Sequence, residues 1–257
     1  MDIKEKVAVI TGAGSGIGRA VARRIAGEGA KAVVADMDDQ GGAETIRLIE
    51  SSGGRAIFVH ADVTRVEDSR RMLHEAVSKF GRLDILHNNA GIGLGAPPFP
   101  DAPPEKWHRV VEIDLQAVIL GCGLAAPIMQ KAGGGVIINT ASMAGLYPHP
   151  LDPVYGAAKA GVVNLTHSLA SWAEERKIRV NCICPGVVDT PMVSRLLAED
   201  AKHGLPSWKP AKMLQPEMIA DAVVAIVQDE TLFGCSIEVR PGGRKIVEPR
   251  PAPGSRK

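Results

Sequence analysis

Tyr155 and Lys159 stand four residues apart and are the residues of this sequence best suited to moving a proton. On a helix, that spacing places both side chains on one face, with their Cβ atoms about 5–6 Å apart. A phenol with its ordinary pKa of about 10 is a poor acid or base at neutral pH. An adjacent lysine ammonium stabilises the phenolate and draws the pKa of the phenol down towards the working range. Such pairs also arise by chance, so the prediction of a proton-transfer site depends on the residues that accompany them.

Two further features accompany this pair. Ser142 lies thirteen residues before Tyr155, directly after the apolar run 136–141. Its hydroxyl can donate a hydrogen bond to the oxygen of an alcohol or a carbonyl, although an ordinary serine at a strand end is the alternative. Near the start of the chain, the glycine-rich segment Thr11–Gly18 follows a strand-like run, Val7–Ile10. A dinucleotide-binding loop together with serine, tyrosine and lysine predicts an enzyme that transfers hydride.

The glycine-rich segment is suited to holding the pyrophosphate of a dinucleotide. Gly12, Gly16 and Gly18 have no Cβ and let the backbone approach the phosphates, whose charge is stabilised by N–H groups at the start of the following helix. Ser15 and Ile17 lie between these glycines and are assigned to the same cofactor site. The alternative is a glycine-rich turn that binds nothing, but the flanking strand and helix are what a dinucleotide loop requires.

Acidic residues after the second and third predicted strands indicate which dinucleotide binds. Asp36 lies eighteen residues after Gly18, where a carboxylate can accept hydrogen bonds from both hydroxyls of the adenosine ribose. It would repel the 2′-phosphate of NADP, and residues 37–40 contain no Arg or Lys that could bind this phosphate. Both observations predict NAD as the cofactor; the alternative is that Asp36 only begins the next turn. Asp62 and Val63 are suited to binding adenine through a carboxylate and a backbone N–H, with a helix cap or turn as the alternative.

Apolar runs of strand length alternate with helical patterns along the chain. The predicted strands are 7–10, 31–35, 55–60, 85–88, 135–139, 179–183 and 236–239. The predicted helices are 18–27, 39–51, 66–80, 104–130, 153–175 and 216–228. This alternation, with Val and Ile running through the strands, predicts an α/β fold with a doubly wound, Rossmann-like parallel sheet. We expect a single domain over residues 1–243 and a polar, Pro-rich tail at 244–257 that is either a mobile end or a contact arm.

Composition and charge exclude several classes of function. The 257 residues carry a net charge of +1, which gives no basis for binding nucleic acid or an anionic membrane surface. The first residues form no secretory signal and no apolar run approaches the roughly 18 residues of a transmembrane helix, so we expect a cytoplasmic protein. The four cysteines lack metal-ligand spacing, and we expect buried, reduced thiols and no metal site.

In the order and spacing of its motifs, the chain resembles the short-chain dehydrogenase/reductase family over nearly its full length. The motifs that carry the resemblance are Thr11–Gly18, Asn88–Gly91, Ser142, Tyr155 with Lys159, and Pro185–Gly186. The resemblance implies that Asn88, Ala90 and Gly91 border the cofactor. It also implies that Pro185 and Gly186 turn the chain towards the nicotinamide.

Further expectations follow from the same resemblance. Val188 and Thr190 should contact the nicotinamide carboxamide, and Tyr155 and Lys159 should also contact the cofactor, with the lysine holding the nicotinamide ribose. Residues 190–215 fall where the family carries its substrate lid. The family commonly forms homotetramers through the helices that correspond here to 104–130 and 153–175.

One position departs from the family's pattern. Where the family usually has an asparagine that links the lysine through water to solvent, this chain has Asp114. An aspartate can still accept a hydrogen bond from water or from Lys159, but its charge opposes lowering the pKa of Tyr155. We predict that Asp114 belongs to a modified catalytic group, and the alternative is that it caps or pairs elsewhere in its helix.

The substrate side is predicted to be apolar. Residues 192, 193, 196 and 197 are apolar at helical spacing and predict one short amphipathic helix, which either forms a wall over the nicotinamide or packs on the domain itself. Other residues expected at this rim are Leu94, Met143, His149 and Leu151. No Arg or Lys accompanies them before Arg195, so we expect a small to medium, apolar substrate rather than a strongly anionic one.

Together these features predict an NAD-dependent oxidoreductase that interconverts a secondary alcohol and a ketone. An NADP-dependent carbonyl reductase is the second interpretation, and Asp36 argues against it. The third interpretation is a catalytically silent nucleotide-binding regulator. Only Asp114 supports it, and the complete set of Ser, Tyr and Lys argues against it.

Overall fold

One sheet of eight strands runs through residues 1–247, the part of the chain that this computed structural model describes. The strands are β1 (Val7–Thr11), β2 (Lys31–Asp36), β3 (Arg55–His60), β4 (Ile85–Asn88), β5 (Gly135–Thr140), β6 (Ile178–Pro185), β7 (Ser236–Arg240) and β8 (Gly243–Val247). Their order is β3-β2-β1-β4-β5-β6-β7-β8, parallel up to β7. The strand order reverses between β1 and β4, which is where open sheets of this kind form a ligand crevice at the carboxyl ends of their strands.

Helices cover both faces of the sheet. They are α1 (Gly16–Gly27), α2 (Asp39–Ser51), α3 (Val66–Phe80), α4 (Pro104–Val111), α5 (Ala117–Lys131), α6 (Met143–Leu146), α7 (Pro153–Ser168), α8 (Trp172–Glu175), α9 (Pro191–Lys202) and α10 (Pro216–Gln228). Ile25 of α1 and Val223 of α10 belong to the core on one face, and Leu73 of α3 and Val162 of α7 to the core on the other. Each such side chain contributes roughly 1.5–3 kcal/mol through burial. The predicted doubly wound α/β fold is confirmed.

Polar side chains fix the starts of several helices near the carboxyl edge of the sheet. Asp38, Ser142, Asp152 and Thr190 each accept a backbone N–H at the start of α2, α6, α7 and α9, respectively. Such a cap typically contributes about 1 kcal/mol. Because Asp152 caps α7, the helix begins at the following proline and carries Tyr155 in its first turn.

The helix predicted over residues 104–130 has three parts. A π-helical segment, Glu112–Gln116, separates α4 from α5. The whole spans 28 residues and is long and apolar enough to cross a membrane, contrary to the expectation from the sequence. Val118, Cys122 and Met129 nevertheless lie in the core against the sheet, so this is a core helix of the α/β fold. The helix predicted over 153–175 also divides, because α7 ends at Ser168 before the separate turn of α8.

The predicted C-terminal tail begins with a strand instead. β8 runs antiparallel to β7, with Arg240 opposite Gly243 and Ser236 opposite Val247. Residues 241–242 form the two-residue turn between them, and the polar composition of β8 is that of an exposed edge strand. The domain therefore extends beyond residue 243 to 247, and the rest of the predicted tail, 248–257, lies outside the described residues.

Candidate active site

The predicted catalytic side chains meet at the carboxyl edge of the sheet. Ser142 follows β5, and Tyr155 and Lys159 lie on α7, which packs beside β5 and β6. The Lys159 Nζ lies 5.6 Å from the centroid of the Tyr155 ring. Ser142 lies close enough to the Tyr155 phenol to lower its pKa, and its Oγ accepts the Ala144 N–H at 3.1 Å. The structure thus brings together the serine, tyrosine and lysine that the sequence singled out.

Lys159 is almost completely buried, and two oxygens hold its ammonium group. Its Nζ donates to the backbone carbonyl of Thr140 at 2.9 Å and lies 3.2 Å from Oδ2 of Asp114. A buried ammonium needs such partners because an unpaired charge away from water is costly. This pairing fixes the lysine beneath the tyrosine ring.

Asp114 faces the active site rather than capping its own helix. Its side chain is fully buried, and Oδ1 accepts the Ile92 N–H at 2.8 Å while Oδ2 pairs with Lys159. It lies in the π-helical segment, an irregularity that is frequent at functional sites. Gly91 lies directly over the pair, since a Cβ at this position would stand 3.3 Å from Oδ2 and 3.4 Å from Nζ.

The electrostatics differ from the sequence-based expectation for Tyr155. Burial raises the pKa of the Tyr155 phenol and Asp114 adds to this rise, while Lys159 and Ser142 act against it. The lysine therefore lowers the phenol pKa as expected, but burial outweighs it. Burial alone would lower the pKa of Lys159, yet the charges of Asp114 and Tyr155 prevail and raise it. Burial also raises the pKa of Asp114 against the effect of Lys159.

The glycine-rich segment forms a tight turn from β1 into α1. Gly12 has a φ of +63°, and a Cβ there would stand 2.9 Å from the Cα of Ala90. A Cβ on Gly18 would stand 2.2 Å from the Gly12 carbonyl oxygen. Only glycine fits this packing, which leaves the first N–H groups of α1, from Gly16 onwards, at the crevice. The residues present therefore fit a dinucleotide pyrophosphate.

Asp36 lies beside this turn at the end of β2. Its Oδ2 accepts the Gly14 N–H at 2.7 Å and its Oδ1 accepts the Asp38 N–H at 2.9 Å. The carboxylate is consequently held against the glycine-rich segment rather than free in solvent. The bond to the Asp38 N–H also makes Asp36 the first residue of a turn, while Asp38 is the residue that caps the next helix.

Two predicted cofactor contacts have other partners in the structure. Asp62 accepts from the N–H and hydroxyl of Thr64 at 3.0 and 2.7 Å and pairs with Arg109 at 3.3 Å, which is the turn-forming alternative. The Asn88 amide donates to Oδ1 of Asn139 at 2.9 Å inside the sheet, so its side chain already has a partner in the core. Val63 adjoins Asp62, and its carbonyl accepts from a serine of α3.

The segment after β6 leads from the catalytic group to the predicted lid. Pro185 ends β6, Gly186 follows it, and Val188 forms a bridge with Leu214 at the other end of the segment. Thr190 caps α9 and lies over the glycine-rich turn, with its Cγ2 3.1 Å from where a Cβ on Gly16 would stand. The single short helix predicted within residues 190–215 is present as α9.

The rim of the catalytic group is mainly apolar. Leu196 of α9 packs over Gly93, where a Cβ would stand 2.8 Å from its Cδ1. Leu94 is buried, whereas Leu151 is exposed. The rings of His149 and Tyr155 are edge to face with centroids 6.3 Å apart.

Two residues of the site escaped the sequence analysis. Thr140 acts through its backbone carbonyl, for which no residue type gives a signal. Asp152 accepts the Tyr155 N–H at 2.9 Å and the Leu94 N–H at 2.8 Å, joining the catalytic helix to the rim. An acidic residue before a proline is a helix-start signal, so the sequence could have revealed Asp152.

A glycine-rich strand-to-helix turn beside this serine, tyrosine and lysine defines a nucleotide-dependent oxidoreductase site. The family model of the short chain dehydrogenases matches residues 6–201. The chain therefore belongs to the short-chain dehydrogenase/reductase family, as the motif resemblance predicted.

Similar proteins narrow the chemistry. The cis-4-hydroxycyclohexanecarboxylate dehydrogenase of Sinomonas cyclohexanicum is 39% identical over 231 residues, 89% of this chain and 92% of that protein. The cyclohexanol dehydrogenase of an Acinetobacter species (strain SE19) is 37% identical over 89% of this chain and 90% of its own length. The crystal structure of the 3-ketoacyl-(acyl-carrier-protein) reductase from Brucella melitensis complexed with NADH matches with a TM-score of 0.82 and 32% identity, over 92% of this chain and 97% of that one. The protein is an oxidoreductase of the alcohol/ketone type that uses a nicotinamide cofactor.

Proposed function

We propose that this protein is an NAD-dependent dehydrogenase that interconverts a secondary hydroxyl group and a ketone on an uncharged, alicyclic substrate. The observation that carries the proposal is the group of Ser142, Tyr155 and Lys159 beside the glycine-rich turn, with Asp36 held at the end of β2.

Each residue of the group has a defined task in this reaction. A bound nicotinamide would accept the hydride from the alcohol carbon. Tyr155 takes the hydroxyl proton and returns it in the reverse direction. The Ser142 Oγ accepts from Ala144, which leaves its hydrogen free to bind the substrate oxygen. Lys159, anchored by Thr140 and Asp114, keeps a positive charge next to the Tyr155 phenolate that accepts this proton.

The preference for NAD rests on Asp36. A carboxylate fixed by the N–H groups of Gly14 and Asp38 can accept hydrogen bonds from ribose hydroxyls and repels a 2′-phosphate. Arg19, a basic residue beside this turn, donates to the carbonyl oxygens of Gly14 and Gly41. Its guanidinium is thus engaged within the protein instead of being presented to a phosphate.

The remaining cofactor assignments are part of the same proposal. Gly12, Ser15, Gly16, Ile17 and Gly18 would bind the pyrophosphate, and Asn88, Ala90 and Gly91 would line the crevice. The backbone of residues 62–63 would meet the adenine. Pro185, Gly186, Val188 and Thr190 would face the nicotinamide.

An uncharged substrate is supported by the rim charges. Lys106 pairs with Glu199 of α9 at 2.9 Å, and Arg240 pairs with the buried Glu238, so these cations already have anionic partners. The Glu199 carboxylate also lies close to Gly95, where it would oppose a substrate carboxylate. Relatives named for cyclohexanol and hydroxycyclohexanecarboxylate suggest a six-membered ring, and the rim favours the uncharged member of this pair.

Assembly and location complete the proposal. α5 and α7 present an exposed face of small and apolar residues: Ile119, Gly123, Pro127, Ala157 and Ala160. Such a face supports a homotetramer built on these helices. The free and buried thiols of Cys122, Cys182 and Cys184 support a reducing, cytoplasmic setting.

The test is a panel of alcohols followed at the NADH absorbance band. Cyclohexanol and cis-4-hydroxycyclohexanecarboxylate are each offered with NAD⁺ and with NADP⁺. We expect turnover of cyclohexanol with NAD⁺ and a lower kcat/KM for the carboxylate. Higher kcat/KM with NADP⁺ would refute the cofactor assignment, and tight NADH binding without turnover of any alcohol would favour a silent nucleotide-binding regulator.

A further inference from the structure

His87 is a completely buried histidine in β4 to which the proposed reaction gives no task. It lies in the middle of the sheet, between Ile10 of β1 and Ile138 of β5, and it directly precedes Asn88–Gly91. Burial lowers its pKa to about 3, so the ring is neutral at working pH. A neutral imidazole carries a hydrogen on only one of its two nitrogens.

The surrounding hydrogen bonds determine which nitrogen carries it. The Asn89 Nδ2 donates to the carbonyl oxygens of Thr11 at 2.9 Å and Gly12 at 3.4 Å, so Oδ1 is the accepting end of this amide. The Thr140 hydroxyl lies 3.3 Å from that Oδ1 and must donate to it. Its single hydrogen is thereby used, so the His87 Nε2, 2.9 Å from Thr140 Oγ1, is the donor. Nδ1 is a bare acceptor that has no hydrogen-bond partner among residues 1–247.

We name this series of hydrogen bonds the His87 relay. His87 Nε2 donates to the Thr140 hydroxyl, which donates to Asn89 Oδ1. The Asn89 Nδ2 in turn donates to the start of the glycine-rich turn. Further hydrogen bonds connect it to both sides of the crevice. The Thr140 carbonyl accepts from Lys159 Nζ at 2.9 Å. The Thr11 hydroxyl accepts the N–H groups of Asn89 at 2.9 Å and Ala90 at 3.1 Å.

We propose that His87 is a positioning residue for the nicotinamide cofactor. By donating from Nε2, it sets the direction of the Thr140 hydroxyl, which in turn orients the Asn89 amide against the carbonyls of Thr11 and Gly12. The inference rests on the proposed function, because it takes the glycine-rich turn to be the cofactor site. Any side chain of similar size would satisfy a purely structural role, whereas the relay requires a hydrogen-bond donor at the position of Nε2.

The first test compares NADH affinity in wild type, His87→Leu and His87→Gln by fluorescence titration, which needs no substrate. Leucine fills the space without a donor, and the amide nitrogen of glutamine can reach the position of the imidazole Nε2. Loss of one orienting hydrogen bond should weaken NADH binding by about 3- to 10-fold in His87→Leu. His87→Gln should restore the affinity to within about twofold of wild type.

The second test uses Thr140→Val, which keeps the shape of the side chain and removes the hydroxyl. It should weaken NADH binding as much as His87→Leu does. If the relay acts as one unit, the double variant should lose no more affinity than the weaker-binding single variant. Circular dichroism confirms the fold of each variant, and Thr140→Val alone decides the question if His87→Leu does not fold.

Three results would overturn the inference and leave the proposed function intact. The first is wild-type NADH affinity in His87→Leu or, where that variant does not fold, in Thr140→Val. The second is an equal loss of affinity in His87→Leu and His87→Gln, and the third is a double variant whose loss is the product of the two single losses. Failure of wild type to bind NADH or NADPH would instead refute the proposed function itself.

Discussion

Replacing Asp114 with asparagine tests how the buried ion pair tunes the catalytic tyrosine. The substitution keeps the size of the side chain and an acceptor for the Ile92 N–H, which the carboxylate binds at 2.8 Å. It removes a negative charge that lies 3.2 Å from Lys159 Nζ, which itself lies 5.6 Å from the centre of the Tyr155 ring. Asp114 raises the pKa of Tyr155, so its removal should make the phenol easier to deprotonate.

The size of the effect follows from Coulomb's law. The distances from the carboxylate to Nζ and from Nζ to the ring centre together place the Asp114 carboxylate no more than about 9 Å from the Tyr155 ring. At that separation, two unit charges interact by about 0.5–2 kcal/mol for effective dielectric constants between about 80 and 20. Because 1.36 kcal/mol corresponds to one pKa unit, the rising limb of the pH–rate profile should move by roughly 0.4 to 1.5 pH units. Alcohol oxidation requires Tyr155 to accept a proton, so the limb moves towards lower pH.

The assay is kcat/KM for alcohol oxidation with saturating NAD⁺, measured between pH 6 and about pH 10. Glu112→Gln is the matched control, because it also removes a carboxylate from the π-helical segment. The Glu112 carboxylate pairs with Arg109 near the surface instead of with Lys159. Glu112→Gln should leave the limb in place. If the limb of Asp114→Asn also stays in place, with fold and NADH affinity intact, Asp114 does not tune the proton-transfer step and the electrostatic reasoning is wrong.

Three further predictions concern cofactor choice, stability and assembly. Asp36→Ala should reduce the ratio of NAD(H) to NADP(H) affinity, measured by titration, because repulsion of the 2′-phosphate is lost. Equal affinities of wild type for both cofactors would contradict this role of Asp36. Asp152→Ala should lower the free energy of unfolding by about 1 kcal/mol through loss of the α7 cap, while Asp152→Asn should keep most of the wild-type stability. If urea unfolding shows Asp152→Ala to be as stable as wild type, the cap does not contribute as argued. Wild type should have a tetrameric mass by light scattering at micromolar concentration and Ile119→Glu a smaller one, whereas a monomeric wild type would refute the proposed interface.

Local signals in the sequence predicted most of the fold. The bounds of α2, α3, β3 and β4 agree with the prediction because each begins or ends at a cap, a glycine or a change of periodicity. The π-helical segment could not be predicted, since residues 112–116 are compatible with an ordinary helix and only the packing of Asp114 reveals the irregularity. β8 was missed because a charged edge strand has the composition of a tail.

The site was predictable where residue type and spacing determine geometry. Tyr155 and Lys159 meet because a helix brings positions four apart together, and Gly12 has the positive φ expected of a tight turn. The direction of the pKa change at Tyr155 was not predictable, because burial depends on the whole fold and outweighs the neighbouring lysine. The pairing of Asp62 with Arg109 and the hydrogen bond of Asn88 to Asn139 likewise depend on residues that lie far along the chain.

The most direct test of the central claim is the rate of NAD⁺-dependent oxidation of a verified alcohol by Tyr155→Phe. The variant keeps the ring under which Lys159 lies and removes the group that exchanges the proton. The sequence contains two tyrosines, and Tyr147→Phe, at an exposed position, is the matched control. We predict that Tyr155→Phe loses at least about 100-fold in kcat while NADH binding and the activity of Tyr147→Phe stay near wild type. Wild-type turnover by Tyr155→Phe would contradict the assignment of Tyr155 as the acid and base of this enzyme.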